Sequence, residues 1–222
     1  MNKVVVVTAN LGGFDPIHEY VKQSTDYDFY RFTDENFPPR SRAMTPRMQA
    51  RILKCFMWQI VPGYKYYIWV DGSCSLWHED SVKWFLEQLG DADVAFFKHP
   101  DRNTIQEEAD FVDKCLAKGS RYIMSRYYGE WIDEQLTATI NNPDYVDDLL
   151  LASTAFIYRD SDEIHSMMKE WWYHISRYHI IDQLALPYVL KNSDCSYNII
   201  NEKYGEIPYL TYTRKMKHGT RS

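Results

Sequence analysis

The sequence contains no run of apolar residues approaching the ~20 that a membrane-spanning helix needs. Its opening Met1-Asn2-Lys3 leads into four valines and then the polar Thr8-Ala9-Asn10, too short an apolar stretch for a secretory leader. Cysteine is sparse. Cys55, Cys74, Cys115 and Cys195 lie far apart, with no C-x-x-C pair and no Cys/His cluster of the zinc type, so reduced thiols in a cytoplasmic protein are expected. The signatures G-x-G-x-x-G and G-x-x-x-x-G-K-[ST] are missing, which argues against a dinucleotide dehydrogenase and a P-loop enzyme. G-x-S-x-G and H-E-x-x-H are missing as well. Nor is there a surplus of positive charge. The 25 basic and 31 acidic side chains leave a net charge of −6, so no global field gathers nucleic acid, although a local basic site stays open.

What is present is the composition of one folded domain spanning 1–222: hydrophobic residues at 45% and charged residues at 25%. Aromatics reach 16%, which suits a dense core or a site that stacks on rings and sugars. Residues 3–9 form an unbroken β-branched run, the pattern of a strand buried on both faces. Further strands are expected at 28–34, 66–70, 93–97 and 153–158, and helices at 46–60, 80–89, 104–118, 121–136, 162–177 and 181–190. Strand and helix alternate along the chain, which predicts an α/β fold with a mostly parallel central sheet flanked by helices. The segment 207–222 reads as an irregular basic tail, with Arg214, Lys215, Lys217, His218 and Arg221 within eight residues. It is either a frayed terminus or a flap that closes over a bound diphosphate.

Ligands of open α/β sheets bind at the carboxyl ends of the strands. Two expected strands end in polar residues, Thr8-Ala9-Asn10 ahead of the Gly12-Gly13 loop, and Asp71-Gly72-Ser73. Asp71 there suits a cation or a ribose hydroxyl, and Asp-Gly is equally a common turn dipeptide. Between Asn36 and Val70 no acidic residue occurs, while Arg47, Arg51 and Lys54 fall at i, i+4 and i+7 on one helix face. Such a face is either solvated or a phosphate site. His99 and Arg102 follow another strand end and are candidates for substrate contact. Glu107 and Glu108 behind them read as complements to a helix dipole. Asp182-Gln183 opens a helix, as a capping pair or as part of a site. His174 and His179 read as core or rim residues.

In this order, Asn-Leu-Gly-Gly, Arg-x-x-x-Arg-x-x-Lys, Tyr-Tyr-Ile-Trp-Val-Asp-Gly-Ser, His-Pro-x-Arg with Glu-Glu-Ala, and Asp-Gln-Leu-Ala resemble one family. It is the glycosyltransferase-like family of plants, bacteria and viruses that includes the mucilage-related and turgor-related proteins. More widely, the layout is similar to GT-A nucleotide-sugar transferases. The resemblance covers about residues 3–190.

It implies a single GT-A-like domain that moves a sugar from a nucleotide-diphosphate donor, a UDP-sugar foremost, to an acceptor hydroxyl, usually on a glycan. Thr8, Asn10 and Gly12 would hold the nucleoside. Arg47, Arg51, Lys54 and Lys217 would hold the diphosphate, and His99, Arg102 and Gln183 the sugars. Asp71 matches the first acid of the family's Asp-x-Asp motif, with Ser73 in place of the second. With His218 these would form a site for Mn²⁺ or Mg²⁺. Asp182 would serve as the base for the acceptor hydroxyl, or face the anomeric carbon. Two alternatives stay open: a viral-type enzyme that glycosylates hydroxymethylated DNA bases, and a nucleotide- or glycan-binding module without turnover.

Overall fold

A computed structural model of the protein describes residues 3–40 and 42–212. Lys217 and His218 lie outside the described residues. Six strands form one sheet: β1 (Val4–Asn10), β2 (Asp28–Thr33), β3 (Tyr66–Asp71), β5 (Val94–Lys98), β6 (Leu151–Arg159) and β7 (Tyr197–Ile200). Their spatial order is β2-β1-β3-β6-β5-β7. β1 pairs in parallel with β2 and β3, and β5 in parallel with β7, while β6 runs against both of its neighbours. The expected mostly parallel sheet is therefore present, with one reversed strand. A separate antiparallel pair joins β4 (Cys74–Leu76) to β8 (Leu210–Tyr212), so part of the segment expected to be irregular folds back onto the loop after β3.

The valine run explains why both faces of the sheet are covered. Side chains alternate along a strand. Val5, Val7, Tyr67, Trp69 and Phe156 enter one buried layer, whereas Val4, Val6, Ile68, Val70 and Ile157 enter the other. Helices α1 (Pro46–Cys55), α7 (Asp162–Arg177) and α8 (Asp182–Lys191) bury their apolar faces in the first layer, and α3 (Ser81–Leu89) in the second. A third, smaller cluster ties α4 (Ile105–Ala117), α5 (Arg121–Tyr127) and α6 (Ile132–Ala138) to α8 through Ile105, Ile123, Ile132 and Leu184.

Two expected helices are each divided. The helix over 46–60 stops at Phe56, whose φ of −124° is not helical, and resumes as α2 (Met57–Ile60). Phe56 there packs its ring on Trp172 of α7. The helix over 121–136 is cut into α5 and α6 between Tyr127 and Ile132, where Gly129 takes a φ of +81° that a right-handed helix cannot use. At its start α1 follows the capping rules closely, with the Thr45 side chain accepting from Met48 N–H at 3.2 Å and Pro46 in the first turn.

Candidate active site at the carboxyl edge of the sheet

β1, β3 and β5 run in the same direction, so Asn10, Asp71 and the His99 loop emerge along one edge. α1 lies beside that edge, and the α1 face expected from spacing points into it. Lys54, in the last turn of α1, has a fully buried side chain. Its ammonium stands 2.8 Å from Asp182 Oδ2, 2.9 Å from the Ser153 carbonyl and 3.0 Å from Asp71 Oδ1. Three donors thus meet three acceptors inside the protein. The Ser153 carbonyl is available because the pairing of β6 with β5 shifts register beside it. Trp69 completes the box, donating from Nε1 to Asp71 Oδ1 at 2.7 Å, with its ring 5.5 Å from the Lys54 ammonium.

Arg51 lies one turn earlier, its Nε 3.3 Å from Asp182 Oδ2. Two cations therefore face two carboxylates, which is what allows so much charge to be buried. Burial by itself raises the pKa of Asp182, but Arg51 and Lys54 outweigh it and bring the carboxyl down to about 2. Asp182 does not act as a helix cap; it is locked from both ends, because its backbone carbonyl also accepts from Trp171 Nε1 at 2.8 Å.

The solvated-face reading of α1 does not hold, and neither does the expected phosphate role of Lys54, whose three donors are committed internally. Arg47 and Arg51 remain beside the cleft, joined by a residue that sequence reasoning missed. Partial burial, then the charge of Arg126 on α5, lowers the pKa of Arg47 from its ordinary value. Arg47 lies over the Phe14 ring at 4.7 Å, and the buried Nε of Arg126 has no hydrogen-bond partner. Of these three guanidinium groups Arg51 is paired with Asp182, while no salt bridge to Arg47 or Arg126 is seen among the described residues, an arrangement chemically able to take an anion. Arg126 lies in the last turn of α5, next to Ser125, whose carbonyl accepts from Arg47 Nη1 at 3.4 Å.

At the end of β1, Thr8 is buried, and together with Tyr20, whose hydroxyl donates to the Cys74 carbonyl at 3.3 Å, Arg31, His18 and Gly72 it lines a small cleft. Asn10 instead uses its amide on Asp15, donating to its carbonyl at 2.7 Å and accepting from its N–H at 3.3 Å. Gly12 donates its N–H to the Asp34 carboxylate at 3.1 Å, and its φ of +74° together with close contact to Pro46 leaves no room for a side chain. These two residues shape the loop. Gly72 is required by packing: a Cβ there would stand 2.6 Å from the Ala9 carbonyl oxygen.

The described residues do not fit the divalent cation that the resemblance implies. Asp71 Oδ1 is already taken by Lys54 and Trp69, Ser73 lies against the Cys74 sulfur at 3.9 Å, and no third acidic, His or Cys side chain joins them.

His99, Arg102 and Gln183 do come together, at the mouth of the same edge, around a carboxylate that sequence reasoning had placed elsewhere. Arg102 Nε and Gln183 Nε2 both donate to Glu108. His174 and His179 are buried, as expected.

A mostly parallel sheet flanked by helices, with Arg47, Arg51 and Arg126 gathered at its carboxyl edge, defines an α/β protein. The chain belongs to the TOD1/MUCI70 glycosyltransferase-like domain family, whose sequence pattern matches residues 41–215. Among solved structures it is similar to a glycosyltransferase involved in the glycosylation of the major capsid of PBCV-1. That similarity has a TM-score of 0.48 at 10% identity, over 89% of this chain and 82% of that one. It is also similar to WbbM, a bifunctional glycosyltransferase in its apo form, with a TM-score of 0.48 at 13% identity, over 90% of this chain and 39% of that one. No curated protein matches the sequence. Among the described residues no helix is long and apolar enough to cross a membrane.

Proposed function

We propose that the protein transfers a sugar from a nucleoside-diphosphate donor, a UDP-sugar foremost, to a hydroxyl of an acceptor glycan. The observation that carries this reading is the buried Asp71–Lys54–Asp182 bridge beside Arg47, Arg51 and Arg126 at the carboxyl edge. Cleavage of the bond between the anomeric carbon and the diphosphate puts negative charge on the leaving group. Guanidinium groups fixed in a partly buried site stabilise that charge without having to reorganise.

The pKa of about 2 changes the role assigned to Asp182. A carboxylate held so far below neutrality is a weak proton acceptor, and a general base works best with a pKa near the working pH. Asp182 therefore supplies a fixed negative charge beside the sugar, where positive character develops at the anomeric carbon, rather than taking the acceptor proton.

The test is a thermal-shift panel of UDP-, GDP-, ADP- and CDP-sugars, followed by release of the free nucleotide on adding glycan acceptors. A ligand at a hundredfold excess over its Kd adds ~2.7 kcal/mol to the stability of the native state. A shift with one base and turnover with a glycan are expected. Absence of any shift across the panel overturns the reading.

A further inference from the structure

Glu107 and Glu108 are neighbours in the first turn of α4 but do different work. Glu107 caps: its Oε2 accepts from the Asn103 N–H at 2.7 Å, and its own N–H donates to the Thr104 hydroxyl at 3.0 Å. Glu108 turns inward and is 4% exposed. Its oxygens are divided, Oε2 receiving Arg102 Nε and Oε1 receiving the Gln183 amide. A buried carboxylate is costly unless its lone pairs are met, and these two donors meet them. Gln183 directly follows Asp182, so Glu108 connects the His99–Arg102 loop to the bridge described above.

The other end of that loop is equally constrained. His99 Nδ1 accepts from the N–H groups of Asp101 at 3.2 Å and Arg102 at 3.1 Å. A neutral imidazole that accepts at Nδ1 carries its proton on Nε2. Burial, then the nearby Arg102 charge, lowers the His99 pKa to about 4, so the ring is neutral at neutral pH. Its Nε2–H therefore lies 3.3 Å from Arg102 Nη2, which also carries only hydrogens. Two donors at that separation do not bond each other. They are satisfied together by one acceptor placed before both.

We propose that Glu108 is a positioning residue, holding Arg102 and Gln183 so that His99 Nε2–H and Arg102 Nη2 converge on one oxygen of the donor's sugar, and that this sugar is uncharged. The inference rests on the nucleotide-sugar reading of the site. The charge count selects the neutral sugar. Arg102 is balanced by Glu108, and His99 contributes no charge, so a hydroxyl oxygen fits where a carboxylate would bring an unbalanced negative charge.

The experiment is calorimetric titration of the full chain, as wild type, Glu108→Ala and Arg102→Gln. The probes are UDP, GDP, UDP-glucose, UDP-galactose, GDP-mannose and UDP-glucuronate. The quantity read is the ratio of Kd for the sugar nucleotide to Kd for the matching bare nucleotide. Both variants are expected to raise that ratio at least tenfold for the preferred neutral sugar while leaving the bare nucleotide within twofold. Wild type is expected to bind UDP-glucuronate at least tenfold more weakly than the best neutral sugar nucleotide. A merely structural role lowers bare and sugar nucleotide together, and that result overturns the proposal, as does an unchanged ratio or equal binding of the uronate. Should Glu108→Ala fail to fold, the half-buried Arg102→Gln gives the same readout. Wild type that binds no nucleotide at all defeats the functional reading itself, and this inference with it, a result distinguishable from the variant outcomes.

Discussion

Lys54 and Asp182 are 128 positions apart in sequence and 2.8 Å apart in space, in a contact that excludes solvent from the lysine entirely. One ammonium thereby fixes the start of α8 against the end of α1 and orients both carboxylates of the candidate site.

Removing that ammonium leaves two carboxylates close together, with Arg51 on Asp182 and the Trp69 N–H on Asp71 to compensate them. Lys54→Met is expected to destabilise the protein by about 3–5 kcal/mol, the usual effect of breaking a buried ion pair from one side. Urea denaturation measures it. Pairing the change with Asp182→Asn is expected to cost less than the two single losses added together, and strict additivity would show that the contact carries no coupling.

Acid should act through the same residue. Asp182 has a folded pKa of about 2 against an ordinary 3.8, so its carboxylate contributes stability that is complete above the ordinary value and is lost as pH falls toward 2. The contribution is roughly 2 kcal/mol for a shift of that size. Unfolding free energies between pH 5 and pH 2 are expected to fall more steeply in the wild type than in Asp182→Asn. Parallel slopes would remove Asp182 from the acid response.

The guanidinium cluster predicts a split between nucleotide and nucleoside. Arg126→Gln should weaken UDP or GDP by about 10–100-fold, the value of a charge-assisted hydrogen bond, while leaving uridine or guanosine nearly unchanged. Equal losses for phosphorylated and unphosphorylated ligands would move Arg126 away from the phosphates.

Nucleotide affinity is expected to stay within twofold between EDTA and Mn²⁺, because Asp71 is bonded to Lys54 and Trp69 and no other acidic, His or Cys side chain among the described residues joins it. A large gain with Mn²⁺, abolished by His218→Ala, would bring the tail into the site.

Gly72→Ala should loosen the edge where β1 meets the turn after β3, since the added carbon would stand 2.6 Å from a backbone oxygen that cannot rotate away. A loss of about 1–3 kcal/mol, typical of overpacking, is expected in thermal unfolding.

The α/β architecture was legible in the sequence, and Asp71, Arg51, Lys54 and Asp182 stood out in it as candidates, because a valine run, an acid-free basic face and strand-end polar residues are local patterns. Their contact was not. It depends on the reversed course of β6 and on a register shift that presents the Ser153 carbonyl, both properties of long-range pairing. Glu108 was misread because two adjacent glutamates at a helix start look alike until one of them is buried. The strands β4, β7 and β8 have three or four residues each, too few for an alternating pattern to register. The breaks at Phe56 and Gly129 lie inside apolar periodicity that continues across them.

The reversed strand also explains how the site is assembled. Because β6 runs against its neighbours, the chain leaves the sheet at the edge opposite Asp71, with Arg159 paired to Tyr66 at the start of β3. α7, at 16 residues, then travels ~24 Å back across the sheet before α8 begins. Asp182 arrives at the cleft because the return journey has the right length. The distance between its carboxylate and that of Asp71 is thus set by the span of α7, and inserting or deleting a helical turn there would change the site without touching Asp71, Lys54 or Asp182 themselves.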